Sequence, residues 1–289
     1  MQYSPSPPFI PSIRSALVAP LLLWMGVCAC SPEQPVMQAK SPAEQLPYGV
    51  WPSPGDFADQ LKQAQQRGID IDQIGLTGAA PLMVLSLPKA SYDPSVVAGQ
   101  SGEATGVSVI DAIRQDSMQV VVGSGFAASA TSLEPVGLLV IGGQEISPLQ
   151  PHGYTRLVLA AAGQIDVRHR SDYESNVAEF AMQLGPGIIE RGELDISERD
   201  LQRPKFFRSF LGVCRDQWLV GVSLAPVNLR TLGQTLIEYI DERGLTCTDV
   251  VNMAGDHQAV FGLKTENRVL FHGDISSPRV SLLGFSNQH

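Results

Sequence analysis

Basic charge is scarce in this sequence: 20 Lys and Arg stand against 29 Asp and Glu, a net charge of −9. That sign repels a phosphate backbone, so nucleic acid is not an expected partner. Charged residues of either sign make up only 17% of the chain, and no short period repeats, which excludes a coiled coil, a collagen and a disordered polymer. Long apolar runs are missing too. The longest near-continuous one, Ala16 to Val27, would reach about 18 Å as a helix, well short of the roughly 30 Å hydrocarbon layer. What is abundant is apolar material of moderate segment length: 44% hydrophobic residues, cut up by 27 Gly and 21 Pro. That is enough to bury the core of a globular domain.

The first 47 residues read as an address and a tether. Arg14 is the one charge before the apolar run, and small residues follow at Cys28, Ala29 and Cys30, the order of a secretory signal. The segment Val27-Cys28-Ala29-Cys30 also resembles a bacterial lipobox, in which a cysteine is lipidated and becomes the first residue of the mature chain. Cys30, preceded by the small Ala29, suits that role better than Cys28. Ser31 in the next position then implies the periplasmic face of the outer membrane. Residues 31–47 hold four prolines among polar residues and cannot form a core. The expected organisation is a signal peptide over 1–29, a lipidated Cys30 with its tether over 30–47, and one domain over 48–289.

Within that domain the pattern predicts α+β: a mixed, mostly antiparallel sheet built from hairpins, with a few flanking helices. Helices are expected over 54–67, behind Ser53-Pro54, over 107–115, and after a capping box of Thr231 and Gln234, with Leu232, Leu236, Ile237 and Ile240 on one face and Gly244 closing it. Strand pairs are expected around Gly142-Gly143, Ala162-Gly163, Glu190-Arg191-Gly192, Arg215-Asp216 and Thr265-Glu266-Asn267. Val250 to Met253 reads as a buried strand and Val280 to Phe285 as the last one. The polar stretch 123–135 reads as a loop.

Two cysteines remain in the domain, Cys214 and Cys247. An oxidising compartment permits a disulfide, but one pair without a spacing signature leaves a bridge and two free thiols equally open. No Cys or His stands two to four residues from either, so no metal site is read there, and no cofactor motif is present. His152, His169, His272 and His289 are scattered without ligand spacing and default to surface imidazoles. Glu190 and Glu193 flank a turn and read as solvated. Ser124, within Gly-Ser-Gly, lacks an assignable base and reads as turn chemistry. Asn252 is expected to point into the sheet or bond a neighbouring loop.

Five blocks in order, VVVGSGF (120–126), PVGLLVIGGQEISPL (135–149), FAMQLGPGIIERGEL (180–194), RSFLGVCRDQWLVGVSLAPVNL (208–229) and TLGQTLIEYIDERGLTCTDVVNMAGD (231–256), resemble the phosphodiester glycosidase family. The resemblance implies a sheet flanked by helices, with the site assembled from loops at the strand ends. It implies a phosphate-binding Arg208, with Gly125, Gly185 and Gly212 lining the substrate. Three polar positions depart from the family pattern. Its Asn before Gly-Gly-Phe is absent at Gly123-Ser124-Gly125-Phe126, its Ser before Gly-Pro is Leu184, and its Asp before Gly is Ala254.

Cleaving a sugar phosphodiester needs a cation for the phosphate and a group that moves a proton at the anomeric centre. Arg208 can supply the first. Asp256 or His257, just past the missing acid, could supply the second, although the bland alternative for both is a solvated loop. Two functions follow: a binding protein for phosphosugar or glycan with reduced or lost turnover, and an active hydrolase with a rewritten acid/base pair.

Overall fold

A computed structural model describes residues 66, 69–76, 79–99, 106–115, 118–129, 132–161, 164–174, 178–265 and 269–288. The chain divides after Pro42, and every described residue belongs to the second part. The expected helix over 54–67 lies outside the described residues, Gln66 apart.

The described residues form three sheets, and every strand pair within them is antiparallel. The largest runs β1 (Asp70–Leu76), β2 (Ala79–Pro88), β13 (Gln217–Ser223), β12 (Arg208–Cys214), β14 (Cys247–Gly255), β10 (Gly187–Glu190) and β11 (Glu193–Leu194). A second runs β16 (Val269–His272), β15 (Phe261–Lys264), β4 (Val120–Ser124), β17 (Ser281–Asn287) and β3 (Tyr92–Ala98). The third runs β6 (Gln144–Ser147), β5 (Leu139–Ile141), β9 (Phe180–Leu184), β7 (Arg156–Ala161) and β8 (Gln164–His169). Among the described residues the two longest helices are α1 (Val109–Gln115) and α2 (Leu229–Glu242). The expected antiparallel hairpins and few helices are found, while the α+β balance and the mixed sheet are corrected: the fold is strand-dominated and its three sheets are antiparallel throughout. Six hairpins join consecutive strands, and a tight turn can only reverse direction; the remaining strands, brought in from distant parts of the chain, also pair antiparallel.

Side-chain alternation explains why so many strands are apolar on both faces. Along β2, Met83, Leu85 and Leu87 enter a core shared by all three sheets, while Leu82 and Val84 face α2. Val251 and Met253 of β14 enter the shared core and Val250 faces the helix. In the second sheet Val120, Val122, Leu283 and Phe285 point to that same core, and Val121 and Leu282 pack under α1. No helix among the described residues is long and apolar enough to cross a membrane.

All five expected hairpins form, pairing β5 with β6, β7 with β8, β10 with β11, β12 with β13 and β15 with β16. Helix α2 starts earlier than the capping box predicts: Asn228 is its cap, with its side-chain oxygen accepting from Thr231 N at 2.8 Å. Asn caps at least as well as Thr, and the earlier start buries Leu229 with Leu232 and Leu236. Cys214 and Cys247 are register partners on β12 and β14 and form a disulfide, which settles the open choice.

Candidate functional site

Strand register brings the candidate backbone stretches together. Arg208 opens β12 opposite Gly255 at the end of β14, and Asp256 N donates to the Phe207 carbonyl at 2.9 Å. The end of β4 lies alongside, where the buried Ser209 Oγ donates to the Gly123 carbonyl at 2.8 Å. The end of β9 is held by Asn252. Its carbonyl accepts from Gly185 N at 3.1 Å, and its Nδ2 donates to the Gly185 carbonyl at 3.0 Å. Asn252 thus bonds a neighbouring loop, as expected. Gly185 has φ +125 and Gly125 φ +80, backbone geometries that a side chain would strain.

Gln183, buried two residues before Gly185, organises the next layer. Its Oε1 accepts from Leu138 N (3.1 Å) and Gln150 N (2.9 Å), and its Nε2 donates to the carbonyls of Gln150 (2.9 Å) and Tyr154 (2.8 Å). A buried amide with these four partners is fully used, so Gln183 sets the course of the 148–154 loop. That loop presents Tyr154, whose ring stacks on Phe126 with centroids 4.1 Å apart. Burial pushes the Tyr154 phenol up, opposed by the positive charge of Arg208.

The Arg208 guanidinium is half-buried above the Phe206 ring, 5.0 Å from its centroid, and burial pulls its pKa down against the opposing charges of Asp200 and Asp256. Its Nε is buried without a hydrogen-bond partner. Among the described residues it makes no ion pair. A cation held this way keeps its charge available for an anion of fitting shape.

Asp256, His257 and Gln258 form a single 3-10 turn after β14. Asp256 sits at φ +53, a left-handed conformation uncommon outside glycine. The turn borders an open hollow of about 390 Å³ lined by Phe207, Asp256, His257, His272 and Asp274 among others. His272, expected at the surface, is instead half-buried, its ring tilted against Phe207 at 5.7 Å, and burial pulls its pKa below the ordinary value. Asp274 is committed elsewhere: Ser276 and Ser277 donate to its carboxylate and hold it well below the usual range. In proton transfer, then, the groups that can act beside Asp256 are His257 and His272.

Other candidates land away from this place. Gly212 stands mid-strand in β12, where an added Cβ would meet Leu219 and Val250 at 3.0 and 3.4 Å. It permits packing under α2 and does not line the hollow. Ala254 and Leu184, at two of the altered family positions, are fully buried and offer no polar atom. Ser124 is a buried strand residue, its Oγ 3.2 Å from Ser281 Oγ, rather than a turn. Glu190 is not simply solvated, because Arg156 bonds both its oxygens. His152 and His169 are exposed as expected; His289 lies outside the described residues. Among the described residues no three His, Cys, Asp or Glu side chains are grouped to hold a metal.

No family model matches the sequence, and no curated protein resembles it significantly. Solved structures do. The zebrafish N-acetylglucosamine-1-phosphodiester alpha-N-acetylglucosaminidase catalytic domain, auto-inhibited by its pro-peptide, superposes with a TM-score of 0.55. The match covers 76% of this chain and 82% of that one at 13% identity. The fold is shared with a phosphodiester glycosidase catalytic domain. A hypothetical protein from Synechocystis also matches, with a TM-score of 0.50 and 11% identity over 75% of this chain and 61% of that one. At such identities the likeness is one of fold alone.

Sequence reasoning missed Tyr154 and His272 as neighbours of the site. Nothing local marks them, since each arrives through sheet pairing or a loop crossing.

Proposed function

We propose that this chain is an exported, lipid-anchored envelope protein whose glycosidase-like domain binds phosphosugar or glycan material through Arg208, with turnover reduced or lost. The observation that carries the reading is the half-buried Arg208 guanidinium with an unpartnered Nε, set beside Tyr154 and Asp256. What weighs against efficient turnover is that the acid position carries a buried Ala254. Losing such a group typically costs factors of about 10² to 10⁴ in rate. The anchor is Cys30, which places the domain at the periplasmic face of the outer membrane.

A second reading, an active hydrolase of sugar phosphodiesters, is favoured by one observation: Asp256, His257 and His272 line a single hollow, and the Asp256 charge acts on Arg208. A nitrophenyl phosphodiester of a sugar separates the two. On the binding reading, release stays at background in the parent, Arg208→Ala and Asp256→Ala. Glucose 1-phosphate then raises the melting temperature of the parent and of Asp256→Ala but not of Arg208→Ala. Turnover above background that disappears in both variants would establish the hydrolase instead. For the anchor, labelling with a radioactive fatty acid is lost in Cys30→Ala; labelling that persists there moves the site to Cys28.

A further inference from the structure

Phe126 and Tyr154 reach the start of β12 by separate routes. The Ser209 bond to the Gly123 carbonyl sets the end of β4, and with it Phe126, beside Arg208. Tyr154 arrives from the third sheet. Its carbonyl accepts from Gln183 Nε2, and a Cβ built on Gly185 would lie 3.6 Å from Thr155 N, the amide that follows it. Its ring packs nearly flat on Phe126, 11° from parallel. Backbone and ring are both held, so packing sets where the hydroxyl stands.

That hydroxyl is available. Tyr154 is half-buried, its Oη makes no hydrogen bond among the described residues, and it is not one of the unpaired polar atoms sealed from solvent. The same holds for the tip of Arg208: Nε is sealed, whereas Nη1 and Nη2 are unbonded and reach solvent. The guanidinium lies across Gly255, where an added Cβ would stand 3.2 Å from Nη1 and 4.0 Å from Cζ. Gly255 is extended, at φ −137, so it serves here by leaving room and not by an unusual backbone. With Nε closed off, the fork is offered end-on, and its two outer nitrogens match two oxygens of one phosphate.

Tyr154 and Arg208 are close enough for the charge of each to act on the other, and burial pushes the phenol up, so at neutral pH it carries its proton. An anion on the fork therefore meets a neutral donor. A phosphodiester has only two terminal oxygens, and the fork occupies both. A phosphomonoester has a third. Its second negative charge is tolerable here: of the two carboxylates acting on Arg208, Asp200 accepts from Arg230 N at 3.0 Å, and Asp256 is exposed, where water and salt screen it.

We propose that Tyr154 donates a hydrogen bond to that third oxygen, so that the ligand is a sugar phosphomonoester rather than a diester. This rests on the reading that Arg208 takes the phosphate.

Calorimetric titration of the full chain with glucose 1-phosphate and with its methyl phosphodiester tests it, in the parent, Tyr154→Phe, Gly255→Ala and Arg208→Ala. Tyr154→Phe keeps the ring on Phe126 and loses only an unbonded hydroxyl, so the ligand-free melting temperature is expected to hold within about 1 °C. Its affinity for glucose 1-phosphate falls about tenfold or more, the range of a hydrogen bond to a charged group, while that for the diester falls less than about twofold. Gly255→Ala displaces Nη1 and weakens both esters alike.

A Tyr154→Phe variant that weakens both esters equally, or neither, overturns the proposal and leaves Arg208's role standing; equal weakening with a lowered melting temperature assigns Tyr154 a structural role instead. Parent-like binding of both esters by Gly255→Ala overturns the end-on fork, and with it the count of oxygens. Failure of the underlying reading looks different: Arg208→Ala binds both esters as tightly as the parent.

Discussion

Reducing the Cys214–Cys247 disulfide perturbs the fold at a point whose cost can be worked out. The two residues are register partners at the ends of β12 and β14, 33 positions apart in sequence, and the loop they close contains β13 and α2. In the chain-entropy picture a bridge closing such a loop removes about 12 cal/mol/K from the unfolded chain, or about 3.7 kcal/mol at 25 °C. For a domain of this size 1 kcal/mol moves the midpoint by roughly 2–4 °C, so the expected loss is about 7–14 °C. The assay is thermal unfolding with and without dithiothreitol, with mass spectrometry reporting the thiols. The double variant Cys214→Ala/Cys247→Ala serves as the control that no longer responds to reductant. The bridge and the site occupy opposite ends of β14, separated by about 27 Å of strand. Phosphosugar binding by the reduced, still-folded protein should therefore be unchanged. A midpoint that moves by less than 2 °C once both thiols are free would refute the reasoning.

Arg156→Met removes a guanidinium that bonds Glu190 at 3.2 and 2.9 Å and Asp195 at 2.7 Å, tying the third sheet to the first. The arginine is nearly buried and its partners are partly exposed, so the cost should fall between the surface and interior limits, about 1–3 kcal/mol by denaturant titration. Because burial holds the His272 imidazole below its ordinary 6.5, the unfolded chain binds the extra proton first as pH falls. Stability from this group is complete above about pH 6.5 and declines below it towards the folded value; in His272→Phe, melting curves between pH 5 and 7 should show a flatter slope. In Gly123→Ala the new Cβ would collide with the Gln258 carbonyl. The expected effect is a loss of about 1–3 kcal/mol together with weaker ligand binding, since the Asp256–Gln258 turn must move; wild-type binding in a destabilised variant would count against that coupling.

The hairpins were legible because their information is local. Gly142-Gly143 and Arg215-Asp216 mark turns whatever surrounds them, and the flanking residues alternate in character. The neighbours of those hairpins were not legible. Nothing near Gln217 announces that β13 pairs with β2 across more than a hundred residues, or that β17 inserts between β4 and β3. Likewise Arg208 and Asp256 could be singled out from their motifs, whereas His272 looked like any isolated imidazole. Its half-burial against Phe207 depends on β16 pairing with β15 and on the loop that follows.

The order of apolar segments and their turns already determined a mostly antiparallel sheet built from hairpins, and the resemblance of the 208–229 block to a known family pointed to Arg208 as a group suited to an anion. Tertiary structure alone decided that the strand ends carrying Gly125, Gly185, Arg208 and Asp256 meet, and that Gly212 does not join them. It also decided that two cysteines fall in register. Turn geometry acts over a few residues and is written in them. Sheet order and the closeness of side chains from distant strands arise from burying both faces of the sheets at once, which is a property of the whole chain.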